Sequence, residues 1–190
     1  MRVDGGGGAE ALAADCAEAR ELLAAAGFGA HGKPFPQIEI HLNVSEAHRD
    51  IAEVVADRWR RELGIDARLA QQEWKVYLEA QGALDYDVSR SSWIGDYPDP
   101  NTFLELFVTG GANNKTGWSN ARYDALIAAA AAEVDAAARL ELLSQAEAIL
   151  LAELPILPIY TFASQNLVDP RLGGFHANAL GYGTWQAVFP

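Results

Sequence analysis

QIEIHLNVSEAHRDIAEVVADRWRRELGIDARL, residues Gln37 to Leu69, is the stretch that decides the fold. Its opening residues alternate, with Ile38, Ile40 and Leu42 on one face, the two-residue period of a strand. Ser45 stands where a helix N-cap belongs. Ile51, Val54, Val55, Trp59 and Leu63 follow at helical spacing, and Gly64 supplies a stop. Ile65, Ala67 and Leu69 then alternate as a second strand. A strand, a helix and a strand in succession predict a parallel pair joined by a crossover helix.

The same alternation continues on both sides. Ala9 to Ala26 is made of good helix formers, and Gly27 and Gly29 end it. Pro34 and Pro36 fix an extended approach to the first strand. A short helix is predicted over Glu73 to Gln81 and a third strand over Tyr86 to Ser91. This order makes the fold class α/β with a largely parallel sheet. The second half differs. Pro98 to Gly117 reads as loop with one helical turn at Thr102 to Phe107. Helices are predicted over Ala121 to Glu133 and Ala136 to Glu153, with Asp135 as a cap between them. Pro155 to Phe162 reads as a buried strand interrupted by Pro158. Gln165 to Pro190 shows no clear period, and neither repeats nor heptads occur.

The chain has 190 residues and a formal net charge of −12, with half its residues hydrophobic and 21% charged. That balance belongs to a folded chain and not to a disordered one. An acidic surface gains nothing from counterion release, so nucleic acid is excluded as a partner, and so is an anionic membrane surface. The single cysteine, Cys16, permits no intrachain disulfide and no cysteine-based metal site. No apolar run approaches the roughly 18 residues of a membrane span. Met1 to Gly8 has no hydrophobic core, so no secretory signal is legible in this chain. Gly5 to Gly8 reads as a linker or a ragged start. Asn43-Val44-Ser45 and Asn114-Lys115-Thr116 fit the glycosylation triplet, a pattern short enough to arise by chance.

The densest chemistry lies in Asp85 to Asn101. In an open α/β sheet, ligands bind outside the carboxyl ends of the strands, and the loop Ser92 to Pro100 leaves such an end. There Asp96 suits a cation, Trp93 and Tyr97 suit the wall of an apolar pocket, and Arg90 suits an anion held by two parallel bonds. The plainer reading is a Pro/Gly/Asp turn with a core tryptophan. His48 falls in the first turn of the helix after Ser45, where an anion is attracted. An exposed histidine beside a cap is its plainer reading. His41 lies opposite the Ile38, Ile40 and Leu42 face, which makes surface its default. Nucleophile-elbow, phosphate-loop, metalloprotease and dinucleotide signatures are absent. The four histidines lack metal-ligand spacing. Asp96 and Asp99 make a poor hydrolytic pair, because nothing marks one as acid and the other as base.

The run Trp93-Ile94-Gly95-Asp96-Tyr97-Pro98-Asp99-Pro100-Asn101-Thr102-Phe103-Leu104 resembles the extracytoplasmic solute-binding proteins of ABC importers for peptides, the peptide/nickel class. Ala19 to Gly27 resembles that family's A-x-x-L-L-x-x-A-G helix. Leu63-Gly64-Ile65 and Gln72-Glu73-Trp74 match two further blocks. Asn114 to Ala125, Arg139 to Leu150 and Pro155 to Tyr160 match three more.

The resemblance implies a lobe of the periplasmic-binding-protein type II fold, a mixed sheet flanked by helices. It divides the chain into a start over 1–18, a second ligand-binding lobe over 19–152, and a segment over 153–190 that returns to a first lobe missing from this chain. The apolar residues of that segment, Ile156, Leu157, Ile159, Tyr160, Phe162, Trp185 and Phe189, are then exposed, repacked or paired elsewhere. It implies a transport protein and not an enzyme, without a cofactor or metal, periplasmic or otherwise extracytoplasmic, with a short peptide as ligand and an ABC importer permease as partner. Asp96 matches the aspartate for the peptide's α-ammonium and Trp93 the aromatic beside it. Ser92 and Ile94 match positions whose backbone bonds the peptide. Arg90 and His48 match positions for the C-terminal carboxylate, and Trp74 matches a side-chain-pocket aromatic. A neutral Gln81 stands where some members carry an arginine for longer peptides, and Phe162 where some carry an aromatic hydroxyl. The alternatives are a truncated fragment unable to bind, or a member that takes a nickel complex or a sugar.

Overall fold

A computed structural model of the chain describes residues 8–29, 31–163, 166–176 and 185–189, so the glycine-rich start falls almost wholly outside them. The chain divides into two compact units, Met1–Ser92 and Trp93–Pro190.

In the first unit, β1 (Ile38–Asn43), β2 (Ala67–Gln72) and β3 (Val88–Ser89) form a three-stranded sheet in the order β2-β1-β3. Both pairings are parallel, with Ile40 opposite Leu69 on one side and Val88 on the other. The described sheet is thus parallel throughout, as the strand–helix alternation predicts and not mixed. The third strand is shorter than the predicted Tyr86 to Ser91.

Helix α2 (Glu46–Leu63) covers one face. Ile40, Leu42, Ala52 and Ala56 form the core there, with Val55, Trp59, Ala67 and Leu69 packed around them. The contact face of α2 is centred on two alanines, which let the helix lie close to the sheet. Val54, expected on that face, is 66% exposed. Gly64 ends the helix at φ +70°, and its N–H donates to the Arg60 carbonyl. That left-handed conformation is the reason for a glycine there. Helix α1 (Ala9–Ala25) is tied to the last turn of α2 by Arg20, which donates to the Glu62 carbonyl and carboxylate, each at 2.7 Å.

Helix α3 (Trp74–Ala83) covers the opposite face, and this overturns the surface assignment of His41. His41 is 3% exposed. Its ring lies 5.0 Å from that of Tyr77 and stacks at 6.5 Å on Tyr86, and its Nε2 is 2.7 Å from Gln72 Oε1. A central strand covered on both sides buries alternate residues of both parities. Gln81 is buried as well, and its amide donates to the Ser89 hydroxyl.

In the second unit, α4 (Asn101–Leu104) runs into a 3-10 turn, followed by α5 (Ala121–Ala132) and α6 (Ala136–Glu153). Leu104, Tyr123, Ile127, Ala130, Leu143, Ala146 and Leu150 make one core. Asn120 and Asp135 cap α5 and α6 through bonds from Tyr123 and Ala138 N–H groups. The Asn114 amide donates to the carbonyls of Phe107, Val108 and Trp118, so the Asn114 triplet has a structural use for its amide nitrogen. Glu153, in the last turn of α6, accepts from the Trp118 ring and the Asn120 amide.

Pro155 to Phe162 is not a strand. Two prolines remove two ladder donors from eight residues. Ile156 packs on the helical core. Leu157, Ile159, Tyr160 and Phe162 are 53%, 61%, 57% and 80% exposed. Phe189, 61% exposed, sits in an isolated antiparallel bridge with Gly173. The side chain of Trp185 lies outside what is described.

Tyr123 is fully buried and its hydroxyl donates to the Leu104 carbonyl. Tyr123→Phe therefore leaves a buried acceptor without its donor and should cost about 1–3 kcal/mol in urea unfolding. Leu143→Ala should cost about 2–5 kcal/mol. A Leu143→Ala loss below about 1 kcal/mol would mean that this side chain is not part of the core.

Candidate functional site

The loop Trp93 to Asn101 opens the second unit, and it is held through its backbone. Gly95 lies against Thr102 and Phe103; a Cβ there would stand 3.1 Å from the Thr102 methyl and 3.3 Å from the Phe103 ring. Next to it, the Asp96 N–H donates to the Thr102 hydroxyl at 2.9 Å. Thr102 is 1% exposed. The Asp99 N–H donates to the Tyr97 carbonyl, and Asp99 Oδ1 accepts from the Asn101 N–H, both at 2.9 Å. The Asn101 amide donates to the Tyr97 hydroxyl and the Glu105 carboxylate at 3.2 and 3.0 Å. Burial first, and then the Glu105 carboxylate, raise the Tyr97 phenol pKa.

Two aspartates in this turn have opposite circumstances. Asp99 is gripped by Arg139 of α6 through two parallel bonds of 2.6 and 2.9 Å. Those bonds, against a smaller opposing effect of burial, hold its carboxyl below the usual value. Such a group is a poor general acid, and both of its oxygens are occupied by Arg139. Asp96 is exposed, and its carboxylate has no hydrogen bond or ion pair with any described residue of its unit. Trp93 and Ile94 beside it are 40% and 86% exposed, so Trp93 is not a core tryptophan.

In the first unit, His48 and Arg90 meet at the carboxyl ends of β1 and β3. The Arg90 backbone is fixed on both sides: its N–H donates to the His41 carbonyl at 2.8 Å, and its own carbonyl accepts from the Tyr77 hydroxyl. The guanidinium reaches the Ser92 hydroxyl at 3.3 Å and pairs with no carboxylate among the described residues of its unit. His48 Nδ1 lies 2.8 Å from Asn43 Oδ1. A carboxamide oxygen accepts, so Nδ1 carries the proton and a neutral His48 presents a bare Nε2. Burial, and second the charge of Arg90, lower the His48 pKa below the usual 6.5. Trp74, at the start of α3, is 56% exposed and stacks on Tyr77 at 5.6 Å.

The structure thus gathers His48, Arg90, Ser92 and, through Tyr77, Trp74 at one end of one sheet. It gathers Trp93, Ile94, Asp96 and Tyr97 on one loop. Sequence reasoning missed the residues that hold these groups. Asn43 and Tyr77 carry no motif, and Arg139 lies 40 positions from Asp99. Among the described residues, no cluster of three His, Cys, Asp or Glu side chains gathers to hold a metal ion. No described helix is long and apolar enough to cross a membrane.

Residues 4–115 match the bacterial extracellular solute-binding proteins, family 5 middle region. The periplasmic murein peptide-binding protein MppA of Escherichia coli is 40% identical over 162 residues, which is 85% of this chain and 30% of that protein. The dipeptide-binding protein DppE of Bacillus subtilis is 40% identical over 147 residues, 77% of this chain and 27% of that protein. The crystal structure of Haemophilus influenzae OppA in complex with RPPGFSPFR is 33% identical, with a TM-score of 0.77 over 86% of this chain and 32% of that one. The chain therefore spans about 30% of the length of the curated relatives it matches.

The His48 environment sets a sign for its titration. The native state takes up fewer protons than the unfolded chain between the lowered pKa and 6.5, so the stability contributed by His48 falls as pH drops through that window. The ring resonances of His48 should titrate with a midpoint below 6.5 by NMR. Arg90→Gln should move the midpoint up without restoring 6.5, because burial is the larger cause. A midpoint unmoved by Arg90→Gln would mean that the two side chains do not feel one another.

Proposed function

Because the chain belongs to family 5 of the bacterial extracellular solute-binding proteins, we propose that it binds short peptides for import through an ABC permease, outside the cytoplasmic membrane. The observation that carries this reading is Asp96: an exposed carboxylate without a partner in its unit, on a backbone that Thr102 pins. A peptide's α-ammonium is a compact cation with three donors, and a carboxylate held in place is its natural complement.

Asp96 takes the ammonium, with Trp93 beside it and Ile94 offering backbone groups. Tyr97 completes the wall of the loop. Arg90 takes a carboxylate by a two-bond grip, with Ser92 as a further backbone and hydroxyl contact. His48 joins when its Nε2 acquires a proton. Binding an anion there favours the charged imidazole, so carboxylate binding and proton uptake are linked. Trp74 offers an aromatic face to a ligand side chain. Gln81 supplies no charge for the far end of a longer peptide, because it is buried and spent on Ser89. Names of relatives support peptide as the ligand class: murein peptide for MppA and dipeptide for DppE.

A charged hydrogen bond is worth roughly 1.5–3 kcal/mol, and about 1.4 kcal/mol is tenfold in affinity. Trialanine should therefore bind the chain at least about tenfold more tightly than N-acetyl-trialanine, whose ammonium is gone. Asp96→Asn should abolish that preference while leaving the unfolding transition in place. Titration by NMR at up to millimolar peptide reads both. Equal binding of the two peptides, or failure of trialanine to bind at all, contradicts the reading.

A further inference from the structure

Arg139 stands in the first turn of α6, a place where a cation opposes the helix dipole. No acid shares that turn, and the N-cap Asp135 spends a carboxylate oxygen on the Ala138 N–H. A residue that breaks a local rule calls for a compensating contact, and the contact is the fork to Asp99. Both side chains are only about a quarter exposed, at 26% and 28%. The pair is thus drier than the Arg171–Asp169 pair of the same unit, whose side chains are 87% and 40% exposed, and its geometry is the one that arginine makes and lysine does not.

The grip continues to Asp96 through three bonds. Asp99 Oδ1, held by Arg139, also accepts from the Asn101 N–H. The Asp99 carbonyl accepts from the Thr102 N–H at 3.2 Å. The Thr102 hydroxyl then accepts from the Asp96 N–H. We infer that Arg139 is a positioning residue for Asp96: by clamping Asp99 it fixes the turn 96–102 and with it the place of the ligand-facing carboxylate. The inference rests on the reading of Asp96 as the ammonium partner. Arg139 touches no ligand itself; it determines how well Asp96 discriminates a free amino terminus.

The test uses the full 190-residue chain with Arg139→Met, Asp99→Asn and the double variant. Asp99→Asn keeps Oδ1 for the Asn101 N–H and replaces Oδ2, the acceptor of the 2.6 Å bond from Arg139, with an NH2 donor, so it breaks the fork while sparing the turn's own bond. Amide hydrogen exchange under native conditions is the first readout. Each single variant should raise exchange at Asp96 and Thr102 about tenfold or more, while Leu143 and Leu150 amides change no more than global stability requires. The double variant should add nothing to either single change. A rise spread evenly over α5 and α6, or additive effects of the two substitutions, overturns the inference and leaves Arg139 as an ordinary stabilising residue.

The second readout is the preference for trialanine over N-acetyl-trialanine, which should fall several-fold in Arg139→Met and recover only in part in Arg139→Lys. A preference unchanged in Arg139→Met overturns the inference. A chain that shows no preference even unaltered contradicts the ammonium reading of Asp96, and the exchange result then still decides whether Arg139 fixes the turn.

Discussion

The hydrogen bond from the Asp96 N–H to the Thr102 hydroxyl, 2.9 Å long, is the interaction around which the second unit's loop Trp93 to Asn101 is organised. A carboxylate kept for a ligand cannot be fixed by an ion pair of its own, since the ion pair would compete with the ligand. It has to be fixed through its backbone. Thr102 can do this because it is buried in the first turn of α4, which is itself bound to the α5–α6 core by Leu104 and the Tyr123 hydroxyl. Gly95 makes the close approach possible, and the Asp99–Arg139 fork closes the far side of the turn.

The first unit solves the same problem in the same way. Arg90 is anchored through its N–H and carbonyl by a neighbouring strand and by Tyr77, and its guanidinium reaches the Ser92 hydroxyl. Burial of His48, and second the charge of Arg90, lower the pKa of that imidazole, with Asn43 fixing the tautomer. One permanent cation and one that appears on proton uptake suit an anion whose arrival changes the local field.

Much of this was legible in the chain. The alternation in Gln37 to Leu42, the cap at Ser45 and the stop at Gly64 are local signals, and each element they predict is present. Burial on the second face of the sheet was not legible, because periodicity shows which residues share a face and not what covers it. His41 is the consequence: a polar residue of the wrong parity, buried under α3. Val54 lies off the contact face of α2, which Ala52, Val55, Ala56 and Trp59 form. Pro155 to Phe162 has the apolar content of a strand, but its two prolines remove ladder donors and no described strand pairs with it. At the site, the residues proposed to meet a ligand carry motif-like signals, whereas Asn43, Tyr77 and Arg139 act through partners 5, 13 and 40 positions away, with no motif of their own.

We propose that a peptide's amino terminus is what the exposed Asp96 carboxylate selects. A crystal structure of the chain grown with trialanine tests this most directly. The peptide's amino nitrogen should lie about 2.7–2.9 Å from the Asp96 carboxylate, with the Asp96 N–H still on Thr102. An ordered trialanine whose amino nitrogen faces solvent, or pairs with a different acid of this chain, would contradict it.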